Sequence, residues 1–221
     1  MDKPKLEKDQ VKTLLDNRYL SVLDLQYENT KHYFSATRRK AEGTVAVLSD
    51  EEFRALRPDA VTCVVIVRNK GGEYGLLLTK EFRYPVGQYL LSPPAGLLDE
   101  RDLSEPEPVL CAARREIEEE TGLRLSDSDK LFVISPLFFS TPGMTDECNA
   151  MACAVADLPD GFTFNSGGTE SIEMIGDYVV YGKDEIQEML RRCTDREGVY
   201  FSVFTWAAMM YFVSGMWKER L

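Results

Sequence analysis

Residues 104–123, Ser-Glu-Pro-Glu-Pro-Val-Leu-Cys-Ala-Ala-Arg-Arg-Glu-Ile-Glu-Glu-Glu-Thr-Gly-Leu, restrict the fold more than any other stretch of the chain. Ser104 followed by Glu107 makes a capping-box pattern, and Pro106 and Pro108 fall where a helix has no N–H to lose. The spacing predicts a helix over 105–121, stopped by Gly122 at the position where a left-handed residue is wanted. At about 100° per residue, Glu116, Glu119 and Glu120 share one arc, while Leu110, Ala113 and Ile117 share the next. Burying the apolar arc therefore draws three carboxylates to the edge of the core. Glu118 and Arg114 point the other way, toward solvent. Arg115, four residues before Glu119, is placed to hold that carboxylate in a charge-assisted pair. A glutamate run on a helix is ordinarily a solvated face. Here the apolar border, the arginine and the tight Pro93-Pro94-Ala95-Gly96 loop ahead of the helix point instead to divalent cations, which make a phosphate anhydride approachable by water.

The rest of the chain supplies a sheet for that helix. A Lys, Glu and Leu mix over 5–16 reads as a helix; 19–27 and 32–37 read as a hairpin turning at Glu28-Asn29-Thr30, and 43–48 as a short strand. Ser49-Asp50-Glu51-Glu52 is a second capping box. From Val61 the texture becomes apolar, with strands over 61–68 and 74–83 joined at Lys70-Gly71-Gly72. Further strands are expected over 131–137, 150–156 and 172–181, and helices over 183–193 and 201–219. Strands and helices interleaved around one apolar set give an α/β class.

Composition narrows the partners. With 221 residues the chain can form one main domain plus a short N-terminal piece, and a division into 1–58 and 59–221 is expected. A net charge of −11 and a pI near 4.7 argue against nucleic-acid binding, so a phosphorylated ligand must be met by metal or by a few arginines. The five cysteines lack a C-x-x-C pair and read as reduced core thiols. No apolar run follows Met1, which leads to the expectation of a cytoplasmic protein without a secretory signal. The uncharged stretch 201–217, at 17 residues, falls short of a membrane span of about 20 and reads as a buried C-terminal helix. His32 is the only histidine, and neither a G-x-S-x-G elbow nor a phosphate-binding G-x-x-x-x-G-K-[ST] loop occurs.

Residues 115–123 match the end of the Nudix box, G-x5-E-x7-R-E-U-x-E-E-x-G-U with U a bulky apolar residue, position by position. Glu107, eight residues before Arg115, fits the first glutamate, but ten residues rather than five separate it from Gly96. A five-residue insertion within Asp99–Ser104 accounts for the difference. Beyond the box, Glu81-Phe82-Arg83-Tyr84-Pro85-Val86-Gly87 with Pro94-Ala95-Gly96 resembles the ADP-ribose pyrophosphatase branch of the Nudix hydrolases. Thr141-Pro142-Gly143 resembles that branch's S-P-G element, with Thr141 in place of serine. Ser92 stands where the branch commonly has glutamate.

The resemblance implies an α/β/α sandwich around a mixed sheet, and a small N-terminal antiparallel sheet that pairs two copies as a homodimer. It implies hydrolysis of a nucleoside diphosphate sugar, with ADP-ribose first, using Mg2+ or Mn2+. Glu116, Glu119 and Glu120 with the carbonyl of Ala95 would hold the metal. A general base would come from the loop 165–170, with Glu170 first and Glu173 second. Arg83 would grip the diphosphate. Arg39 and Tyr19, with Arg38 and Tyr27 beside them, would flank the base of the ligand, and Pro142 and Gly143 would line the substrate. Two other readings stay open: another nucleoside diphosphate sugar such as GDP-mannose, and an ADP-ribose sensor that does not hydrolyse it. Intact Glu116, Glu119 and Glu120 weigh against the sensor.

Overall fold

The chain forms two compact units, Met1–Asp59 with Leu137–Asn149, and Ala60–Pro136 with Ala150–Leu221. The segment 137–149, expected in the second domain, thus belongs to the first unit. The computed structural model describes residues 4, 6–28, 30–165, 167 and 175–221.

In the first unit a 3-10 turn at Lys8–Gln10 leads into β1 (Val11–Asp16), β2 (Ser21–Tyr27) and β3 (Lys31–Thr37), an antiparallel sheet in that order. The helix expected over 5–16 is absent. Its Lys and Leu content suits a helix, but β-branched Val11 and Thr13 lie opposite Leu25 and Leu23, and pairing across the sheet overrides weak local preference. The strand expected over 43–48 is replaced by two 3-10 turns, Ala41–Gly43 and Val45–Val47. The Ser49 capping box does form and starts α1 (Asp50–Arg54): Ser49 Oγ accepts from the Glu52 amide at 3.2 Å, and Glu52 accepts from the Ser49 amide at 2.7 Å.

The second unit contains β4 (Ala60–Arg68), β5 (Tyr74–Arg83), β6 (Gln88–Ser92), β7 (Ala95–Leu97), α2 (Glu100–Leu103), α3 (Pro108–Thr121), most of β8 (Lys130–Phe139) and of β9 (Cys148–Asp157), β10 (Ile175–Tyr181), α4 (Lys183–Arg192) and α5 (Val203–Ser214). The mixed central sheet has the order β10-β5-β4-β9-β8, with β6 paired to β5 and β7 to β4. β4 is buried from Ala60 to Val67, which is why its sequence is apolar on both faces. Its alternate residues Val61, Cys63, Val65 and Val67 pack with Ala112, Ala113 and Ile117 of α3. Along β9, Ala150, Ala152, Ala154 and Ala156 join the same cluster. Small residues on both surfaces let helix and sheet close to interior packing density. Cutting the fully buried Ile117 to alanine would cost about 3 kcal/mol.

α5 packs on β4 and β6, and Thr205 Oγ1 donates to the Leu91 carbonyl at 2.7 Å. Instead of one helix over 201–219, Gly215 ends α5 with φ of 75°, and a 3-10 turn, Met216–Arg220, follows. That break folds Trp217 into the core, its indole N–H donated to the Phe212 carbonyl at 3.0 Å. Val203, Trp206 and Met210 leave one side of α5 exposed, so the helix is not buried all round. Among the described residues no helix is long and apolar enough to cross a membrane.

Candidate active site

The buried stripe of α3 fixes where its acids go. Pro108 opens the helix and Gly122, with φ of 72°, closes it, its amide returned to the Glu118 carbonyl at 2.8 Å. Glu107, not Ser104, is the N-cap, so the helix starts three residues later than the sequence suggests. With Ile117 fully buried, Glu116 and Glu120 on the adjoining flank are 8% and 7% exposed. Glu119 is half-buried, while Glu118 reaches outward to Arg124 at 2.6 Å and Arg114 donates to the Leu125 carbonyl at 2.9 Å. Glu118 and Glu119, at 43% and 38%, are thus about equally exposed and differ in their partners, Arg124 and Arg115.

β7 brings the loop glycine against this flank. A Cβ added at Gly96 would overlap the Glu116 carboxylate, so a larger residue there would have to push that acid out of its present place. Next to it, the Ala95 amide lies 3.4 Å from Glu120 Oε1. Beneath both acids, Cys63 is fully buried; burial first, and then the Glu120 and Glu116 charges, push its thiol well above the ordinary range, so it stays neutral.

Arg115 ties the group together. Its Nη1 donates to Glu116 Oε1 at 2.7 Å and to Glu119 Oε2 at 3.0 Å, and its Nη2 donates to the Leu97 carbonyl at 3.0 Å. Burial works against its charge, but the bonds to Asp102 and Glu116 more than offset that and hold the guanidinium protonated.

Asp102 is the residue that motif counting missed. It is 1% exposed, and its two oxygens accept from Arg115 Nη2 at 2.8 Å and Nε at 3.4 Å. Glu107, assigned to this place by its distance from Arg115, is exposed. Counting from the glycine instead, five residues separate Gly96 from Asp102, as the box asks of its first acid. The extra residues therefore follow that acid rather than precede it, which corrects the insertion placed within Asp99–Ser104. Asp102 is held by α2, whose N-cap Asp99 accepts from the Arg101 and Asp102 amides at 2.7 and 3.0 Å. The bond to the Arg101 side chain, then that to the Asp102 amide, lowers the Asp99 carboxyl to about 2.

Four carboxylates, Asp99, Asp102, Glu116 and Glu119, converge on one guanidinium, Asp99 most distantly at 3.9 Å, with Glu120 one turn from Glu116. Among the described residues no group of three or more acidic, cysteine or histidine side chains is placed to hold a metal ion by itself. The donor set is nonetheless a surplus of negatively charged oxygens beside a backbone strand, which fits a hard divalent cation completed by water or substrate oxygens.

The other expected residues are placed as follows. Arg83 ends β5 in the same unit, half-exposed and paired with Glu81 at 2.5 Å. Tyr19, Arg39, Pro142 and Gly143 belong to the first unit. Tyr19 is 71% exposed with the Arg18 guanidinium 5.4 Å over its ring, and the Gly143 carbonyl accepts from the Tyr33 hydroxyl at 2.8 Å. Arg39 is engaged by Asp59 at 2.7 Å and Asp146 at 3.6 Å, and Arg38 by Glu147 at 3.1 Å. Glu170 and Glu173 lie outside the described residues.

Comparison with known proteins agrees with this geometry. The NUDIX domain family matches residues 56–165. Over 123 residues the chain is 34% identical to putative nudix hydrolase 2 of Caenorhabditis elegans, covering 53% of this chain and 50% of that protein. It is 37% identical over 101 residues to the ADP-ribose pyrophosphatase of Saccharomyces cerevisiae, covering 45% and 40%. It is 32% identical over 88 residues to the ADP-sugar pyrophosphatase of Mus musculus, covering 40% and 36%. The match thus spans half or less of each of these relatives. A solved structure described as an ADP compounds hydrolase shares the fold, with a TM-score of 0.55 at 16% identity over 100% of this chain and 97% of the other. Box residues, sheet order and domain match agree, and the chain belongs to the Nudix hydrolase family.

Proposed function

We propose that the protein hydrolyses the diphosphate bond of a nucleoside diphosphate sugar, with ADP-ribose yielding AMP and ribose 5-phosphate as the leading reaction. The observation that carries this reading is the pair of buried carboxylates, Glu116 and Glu120, set one turn apart against Gly96 and Ala95 and braced by Arg115. The yeast and mouse relatives, named for ADP-ribose and ADP-sugars, supply the substrate class.

Glu116, Glu120 and Glu119, with the backbone of Ala95, would hold Mg2+ or Mn2+. Bound there, the cation would neutralise phosphate charge and acidify a coordinated water. Arg115 orients Glu116 and Glu119 and limits their mutual repulsion. Arg83 would exchange Glu81 for a pair of phosphate oxygens, which its fork matches. Glu170, or failing that Glu173, would accept a proton from the attacking water. Asn165, at the head of the segment that carries both, is tied by its amide to the Thr121 carbonyl at 3.1 Å, next to Glu120. Pairing of two copies through the N-terminal sheet belongs to the same reading; Leu14 and Leu15 on β1 are exposed for it.

The test is a panel of nucleoside diphosphate sugars with Mg2+, products separated chromatographically. AMP and ribose 5-phosphate from ADP-ribose support the reading. Preferential turnover of GDP-mannose would move the substrate within the class, and an inert panel would overturn hydrolysis.

A further inference from the structure

A helix that carries a site at its last turn has a structural difficulty. Its final carbonyls have no partners within the helix, and such ends fray unless something outside caps them. Glu120 sits in that last turn of α3. The end is closed by three bonds: the Gly122 amide to the Glu118 carbonyl at 2.8 Å, the Asn165 amide to the Thr121 carbonyl at 3.1 Å, and the Tyr178 hydroxyl to the Glu120 carbonyl at 2.7 Å. The third comes from a side chain, and it acts on the residue whose carboxylate faces Ala95.

Tyr178 is itself held firmly. It lies on β10 opposite Thr79 of β5, so its backbone belongs to the central sheet. Its ring stacks on Phe164 with centroids 5.7 Å apart and planes 20° apart, and Phe162 meets Phe164 edge-on at 5.1 Å. The hydroxyl therefore transmits the position of the sheet to the helix end. At its other extremity Glu120 meets β7, where Oε1 lies 3.4 Å from the Ala95 amide. One residue is thus clamped from both sides by strands of the same sheet.

We propose that Tyr178 is a positioning residue for Glu120, acting through the main-chain carbonyl to keep the carboxylate where a divalent cation is held. The inference rests on the reading of Glu120 as a metal-holding residue. Metal sites depend on such supporting contacts, whose loss typically weakens metal affinity or activity by about 10- to 100-fold.

Removing one oxygen tests it. The intact chain, without substrate, is titrated with Mn2+ and free Mn2+ is read by electron paramagnetic resonance, for wild type, Glu120→Gln and Tyr178→Phe; melting is followed without metal. The expected result is that Tyr178→Phe weakens Mn2+ binding by about 10-fold while its melting temperature stays within a few degrees of wild type. Wild-type affinity in Tyr178→Phe, with binding lost in Glu120→Gln, would overturn the role of Tyr178 and leave the metal site standing. Absence of Mn2+ binding by the wild type would instead remove the reading of Glu120, and the proposal with it. If Tyr178→Phe proves badly destabilised, Phe164→Leu loosens the ring but keeps the hydroxyl. A weakening of roughly threefold is expected there, and unchanged affinity overturns the proposal.

Discussion

Two arginines in this molecule sit among carboxylates, one in each unit, and their surroundings differ. Arg39 is bound by Asp59 and Asp146, and burial of its charge is offset by those two acids. Asp59 also accepts from the Cys148 amide at 2.9 Å, and Asp146 from Thr44 Oγ1 and the Val45 amide at 2.9 and 3.0 Å. Asp59 Oδ2 and Asp146 Oδ2 thereby join the chain around 39–45 to 146–148. Arg115 is also engaged by several acids, yet its partner Glu116 faces a glycine on a neighbouring strand, with Glu120 one turn away. The number of acids around an arginine therefore says little. What distinguishes the two clusters is that acids beside Arg115 face an approachable strand.

Breaking the glycine contact should have a large effect. Gly96→Ala places a methyl on the Glu116 carboxylate and should lower kcat/KM for ADP-ribose by about 100-fold, since a misplacement of about 1 Å in a reacting group costs that much. A variant that keeps full turnover would show that strand and acid do not act together. Next, Asp102→Asn removes the buried charge behind Arg115 and should lower kcat by about 10-fold, whereas Glu107→Gln, on the exposed N-cap, should stay within about twofold. The reverse order would restore Glu107 as the box acid. The smallest catalytic effect is expected on the other arginine: Arg39→Met should cost about 3 kcal/mol of stability in denaturant unfolding, with turnover per folded molecule unchanged. A raised KM at unchanged stability would instead put Arg39 on the substrate.

The box helix was legible because its information is local. Periodicity put Glu116 and Glu120 on the buried flank, and the i,i+4 spacing placed Arg115 on Glu119. Arg115's bond to the adjacent Glu116, by contrast, depends on how the side chain turns its guanidinium, which no wheel shows. Asp102 escaped because it was sought as a glutamate counted back from Arg115. Counting forward from Gly96 reaches it, and the close contact of Gly96 with the Glu116 carboxylate marks it as the better origin. β1 escaped for a different reason: its residues favour a helix locally, and only pairing with β2 decides otherwise. The cap on Glu120 by Tyr178 joins residues 58 positions apart, a separation that no local pattern records.

The account rests on Glu120 holding a cation at the end of the box helix, and turnover of ADP-ribose with Mg2+ by Glu120→Gln tests that most directly. The substitution keeps the size but removes the charge and turns one acceptor oxygen into an NH2 donor. The account predicts a fall in kcat of at least about 100-fold with folding intact, in line with the loss of a principal electrostatic group; near-wild-type turnover would contradict it.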